Sequence, residues 1–98
     1  MKAIYKEPGK PARRIEVANE LRALQDAVGG MLEAVTLPSR RAAVLCNEEG
    51  RLMGLPQNCV INGQWYVGPV LIVGVDLQAA AFTDLTEEVE IWEGIYHA

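Results

Sequence analysis

At 98 residues, half of them hydrophobic and 22% charged, the chain has the length and composition of one globular domain, which excludes the disordered and fibrous classes. Its net charge of −4 is unevenly held: residues 1–51 carry all nine Lys and Arg against seven acids, and residues 52–98 carry six acids and no base. The acidic second half argues against nucleic acid as a direct partner and suits a basic protein, or serves solubility.

Met1–Lys6 reads as a strand, Glu7–Pro11 as a turn and Ala12–Val17 as the return strand of a hairpin. Asn19 is placed to cap a short helix in which Leu21, Leu24 and Val28 share one face and Gly29-Gly30 forms the stop. The narrow apolar stripe suits a helix lying on a sheet. Met31–Leu37 is the next strand, ended by Pro38. Ala42–Cys46 is expected to pair with Arg51–Met53 through a turn at Asn47–Gly50, Gly50 supplying positive φ. Cys59–Ile61, the Asn62-Gly63 turn and Gln64–Tyr66 form a further hairpin that runs into a buried strand, Val67–Val75. That run is the longest apolar one, and its nine residues fall short of the roughly 20 a membrane helix needs. Residues 77–82 read as a loop or one helical turn. Asp84 and Glu87 suggest a capping box for a closing helix with Leu85, Val89, Trp92 and Tyr96 on one face. The fold class expected is α+β, one domain over 1–98: a mostly antiparallel sheet of about five to six strands with two helices.

Catalytic chemistry has little to draw on. Ser39 is the only serine and His97, next to the C-terminus, the only histidine, so neither a triad nor a zinc site assembles. Cys46 and Cys59 read as reduced, packed thiols, and Glu48-Glu49 and Glu87-Glu88 as solvated acids. No catalytic residue, metal or cofactor is expected, and the N-terminus carries no export signature, which makes a cytoplasmic protein the expectation.

Binding residues are easier to find. The stretch from Asn47 to Asn58 packs turn residues and side-chain amides between apolar segments, with Asn47, Arg51, Gln57 and Asn58 offering polar contacts. Asn58 equally suits a cap on its own turn. Arg13-Arg14 and Arg40-Arg41 present guanidinium forks able to grip phosphate or carboxylate, or simply face solvent. Of Trp65 and Tyr66, adjacent on a strand, one ring should pack inward and the other be free to stack.

The same residues carry a resemblance. Met1–Ile4 with Glu7–Lys10, Leu24-Gln25, Val28–Gly30 with Leu32–Val35, Asn47–Gly50 with Gly54–Asn58, and Gly68 with Val73-Gly74 before Phe82-Thr83 and Leu85-Thr86 resemble a small uncharacterised domain family, DUF3846, of phages, prophages and conjugative elements. The resemblance covers nearly the whole chain and brings no catalytic residues with it. What it implies is an accessory protein of a mobile element, acting in the bacterial cytoplasm and, by analogy, against host defence. Two non-enzymatic mechanisms then fit. A homo-oligomer would sequester a nucleotide-derived small molecule through Arg40, Arg41, Asn47, Arg51, Gln57, Asn58, Trp65 and Tyr66. Alternatively, the acidic face would block a basic host protein such as a nuclease. A structural or regulatory subunit is the third expectation.

Overall fold

A computed structural model of the protein describes the backbone of residues 1–96 and the side chains of residues 1–92. Its eight strands are β1 (Lys2–Lys6), β2 (Arg13–Glu16), β3 (Leu32–Leu37), β4 (Ala42–Asn47), β5 (Gln57–Ile61), β6 (Gln64–Val67), β7 (Val70–Asp76) and β8 (Ala81–Thr83); the helices are α1 (Leu21–Val28) and α2 (Val89–Tyr96). Six strands make one sheet, ordered β2-β1-β7-β4-β3 with β8 also on β7, and β5-β6 form a separate hairpin. Every pairing is antiparallel, so the architecture is α+β. Among the described residues no helix is long and apolar enough to cross a membrane.

The sheet has a packed layer on each face. All six residues of β4 are buried, and they alternate between two cores. Ala42, Val44 and Cys46 join Ile4, Ile61, Tyr66, Ile72, Leu85 and Trp92 under the β5-β6 hairpin and α2. Ala43 and Leu45 join Ala3, Leu24, Leu71 and Val73 under α1. β7 is central because Val70–Val73 are wholly buried; a side chain of this kind contributes about 1.5–3 kcal/mol when fully removed from water.

The opening hairpin, α1 lying on the sheet, β3 and the Asn62-Gly63 turn match expectation. Asn62 and Gly63 have φ of 52° and 81°, the positive pair that a two-residue hairpin turn demands. Several details differ. Asn19 does not cap α1; Glu20 holds that position without a side-chain bond, and the Asn19 amide donates to Phe82 O at 3.0 Å. Arg51–Met53 is not a strand, because β4 already has β3 on one side and β7 on the other. The segment folds into consecutive turns, with Gly50 N bonded to Asn47 O and Leu55 N to Gly50 O. Gly50 is required for space rather than for positive φ: a Cβ there would lie 3.0 Å from Val67 Cγ2. The apolar run is cut at Gly68-Pro69 into β6 and β7, since Gly68 turns at φ 71°. Residues 81–83 form β8, a strand too short to show a period.

At the C-terminal end, Asp84 Oδ1 accepts from Lys2 N at 2.8 Å instead of capping a helix, and α2 begins only at Val89. Leu85 and Trp92 nonetheless share one core, with Val89 packed against it. The Tyr96 side chain and His97 lie outside the described residues.

Candidate functional site

The eight residues singled out from the sequence fall into separate places. Asn47 and Asn58 are structural. Asn47, 5% exposed, donates to Val28 O and Met53 Sδ and accepts from Glu49 N, which ties α1 to the loop after β4. Gly30 is what lets it fit: a Cβ there would stand 2.9 Å from Asn47 Nδ2. Asn58 does not cap its own turn. Its Nδ2 donates to Lys6 O and Gly68 O, both at 2.8 Å, and its Oδ1 accepts from Lys6 Nζ, which links the hairpin to the end of β1. Gln57 is exposed at the head of β5, opposite Val67.

The arginines do not converge within one chain. Arg40 ends the 3₁₀ turn Pro38–Arg40; its guanidinium lies 4.5 Å from the Trp92 ring centroid and 3.4 Å from a Glu87 carboxylate oxygen. Arg41, in the left-handed conformation at φ 49°, is exposed beside Asp76 and Gln78. Arg13 pairs with Glu7 at 2.8 Å, and Arg14 donates to the carbonyls of Leu85 and Glu87, fastening the segment before α2.

Arg51, Trp65 and Tyr66 do meet. With Asn47, Glu33, Cys46, Glu48, Leu52, Gln64 and Val67 they line an open cleft of about 140 Å³ between the loop after β4 and β6. Arg51 Nη2 donates to the Trp65 backbone carbonyl at 2.9 Å, and Trp65 is 53% exposed. Tyr66 points inward at 3% exposure; strand alternation therefore divides the pair as expected. Its hydroxyl is buried without a hydrogen-bond partner among the described residues. Burial, reinforced by Cys46, Cys59 and Glu33, pushes that hydroxyl up to about 12. Burial also carries the Cys46 thiol to about 11, with Glu33 adding to the rise and Arg51 opposing it. Neither group ionises at neutral pH, so the cleft offers a neutral phenol and a neutral thiol beside the Arg51 guanidinium and the side chains of Glu33 and Glu48.

Sequence reasoning missed the apolar rim. Leu52, Met53 and Met31 are all more than half exposed, and Met31 and Met53 border a second, shallower depression beside Gly29, Gly30 and Asn47. Treating Arg51–Met53 and Met31–Leu37 as strands hid them. Among the described residues no group of three or more His, Cys, Asp or Glu is arranged to hold a metal ion.

A six-stranded antiparallel sheet with a packed layer on each face and an open cleft beside β6 defines a small α+β domain. The chain belongs to the family described as Domain of unknown function (DUF3846), whose family model matches residues 1–97. No curated protein and no solved structure matches it.

Proposed function

We propose that this is a non-enzymatic accessory protein of a phage or mobile element, one that counters host defence by sequestering a nucleotide-derived signalling molecule in a homo-oligomer. The observation that carries the reading is that one cleft is lined both by the exposed Trp65 and by Arg51, whose guanidinium is fastened to the Trp65 backbone carbonyl. An exposed indole gives a base a stacking platform, and a guanidinium grips phosphate with paired hydrogen bonds. A cleft this open, with Glu33 and Glu48 on its border, needs further walls and further positive charge, which is why the reading includes an oligomer. The test is titration with mono-, di- and cyclic nucleotides, followed by tryptophan fluorescence. Saturable quenching that Trp65→Phe removes supports the reading; an unchanged spectrum across the panel ends it.

A second reading rests on the apolar rim. Exposed Leu52, Met53 and Met31 stand beside Glu48 and Glu49, a pairing that suits a basic protein partner, such as a nuclease, docked by charge and apolar contact. Such a complex would weaken as ionic strength rises, and Glu48→Lys with Glu49→Lys would abolish it.

A further inference from the structure

The two edges of the six-stranded sheet are built differently. β2, at one edge, has four residues of which Arg13, Arg14 and Glu16 are charged. Short, charged edges are how sheets avoid taking on another strand. β3, at the opposite edge, has six residues, Leu-Glu-Ala-Val-Thr-Leu, with Glu33 as its one charge. It contains no proline, and its register with β4 runs unbroken from Leu32↔Asn47 to Leu37↔Ala42. Among the described residues nothing pairs with its outer side, and Glu33, Ala34 and Thr36 are exposed.

The ends of β3 also differ in charge. At its start stand Glu33 and Glu48, the latter joined to Met31 O through its backbone N–H at 2.8 Å. Past its far end, on the β7 side beside Asp76 and Gln78, stands Arg41, exposed and without an ion pair among the described residues. Arg40 next to it is already held by Glu87.

We infer that β3 is a homodimer interface: two copies of this chain join β3 to β3, antiparallel, about a two-fold axis near Ala34 and Val35. Antiparallel addition supplies backbone partners to the unpaired edge and sets the Glu33 end of each copy against the Arg41 end of the other, two matched contacts per dimer. A parallel pairing would place acid against acid and base against base. Because the axis runs through the sheet, the two copies keep their faces on the same sides. The Trp65–Arg51 cleft, which Glu33 borders, then lies beside the second copy's Arg40-Arg41 turn and gains the wall and the positive charge it lacks. The proposal deepens the oligomer of the proposed function and rests on that reading for its purpose, while the interface itself stands on the strand edge and its charges.

The experiment is native mass spectrometry and sedimentation of the full chain with two exposed-site variants, Glu33→Lys and Arg41→Glu. The wild type is expected as a dimer, and each variant should dissociate about tenfold or more readily because like charges then face each other at both ends. Mixing the two variants should restore a dimer, since lysine at 33 in one copy meets glutamate at 41 in the other and the native pair survives at the second end. Circular dichroism and thermal melting of each variant check that it folds. A monomeric wild type, folded variants that dimerise as tightly as wild type, or a mixture that stays monomeric would each overturn the interface. Ligand binding is read separately, as added mass: a dimer that binds no nucleotide leaves the interface standing and removes the sequestration reading, whereas a monomer that binds one overturns the interface and keeps only nucleotide binding from that reading.

Discussion

The Lys6 ammonium, at a position only 5% exposed, donates to the Asn58 side-chain oxygen at 3.0 Å. Asn58 answers with its amide on the Lys6 and Gly68 carbonyls, so one side chain joins β1, β5 and the break between β6 and β7. Asn58→Ala should therefore destabilise the fold by about 2–4 kcal/mol, through three lost hydrogen bonds and a buried cation left short of an acceptor. Urea unfolding of wild type and variant measures it. A loss under about 0.5 kcal/mol would show that Asn58 does not hold these elements together.

Arg40 lies over Trp92 and beside Glu87, linking the turn after β3 to α2. Arg40→Ala should lower stability by about 1–2 kcal/mol, mostly through the lost cation–π contact and its packing. Glu87→Gln should cost less than about 1 kcal/mol, because that ion pair is a third exposed. Thermal melts of the two variants give the order; a larger loss for Glu87→Gln would contradict it.

Raised acid groups make the fold sensitive to alkali. Burial lifts Cys46 from an ordinary 9.0 to about 11 and Tyr66 from 10.0 to about 12. In each case the unfolded chain gives up its proton first, so this stability is whole below pH 9 and falls as pH rises towards the folded-state values. The slope is about 1.4 kcal/mol per pH unit for each group once its unfolded form has ionised. Denaturant midpoints between pH 8 and 11 should decline steadily, more gently in Cys46→Ala. At pH 8 both thiols should resist a thiol reagent until the protein is unfolded.

Gly74 sits where β7 passes closest to the chain after β8: a Cβ there would lie 2.4 Å from Asp84 O. Gly74→Ala is expected to push that segment away and destabilise the fold by about 1–3 kcal/mol. Proteolysis between residues 77 and 88 should accelerate, and unchanged cleavage would show that the contact carries little.

Much of this was legible in the sequence, for local reasons. Asn62-Gly63 and Gly29 announce themselves because few residues accept positive φ, and the spacing of Leu24 and Val28 reports the face of α1 that meets the sheet, while Leu21 of the same stripe stays exposed. What stayed hidden depends on partners distant in the chain. The amides of Asn47 and Asn58 look like ligand groups until Val28, Lys6 and Gly68 are seen to occupy them. Arg51–Met53 reads as a strand until β4 is seen to be flanked on both sides. At the candidate site, the adjacency of Trp65 and Tyr66 foretold one free ring, whereas the contact of Arg51 with Trp65 O depends on turns no periodicity encodes.

The binding reading makes Trp65 dispensable for folding and indispensable for function, since its ring is half exposed. The most direct measurement is native mass spectrometry of the protein and of Trp65→Ala, before and after incubation with a small-molecule extract from cells whose nucleotide-based immune signalling has been triggered. The expected result is a wild-type dimer that gains a small, discrete mass and a Trp65→Ala dimer that gains none. A wild-type protein that gains no mass, or a Trp65→Ala protein that gains the same one, would contradict it.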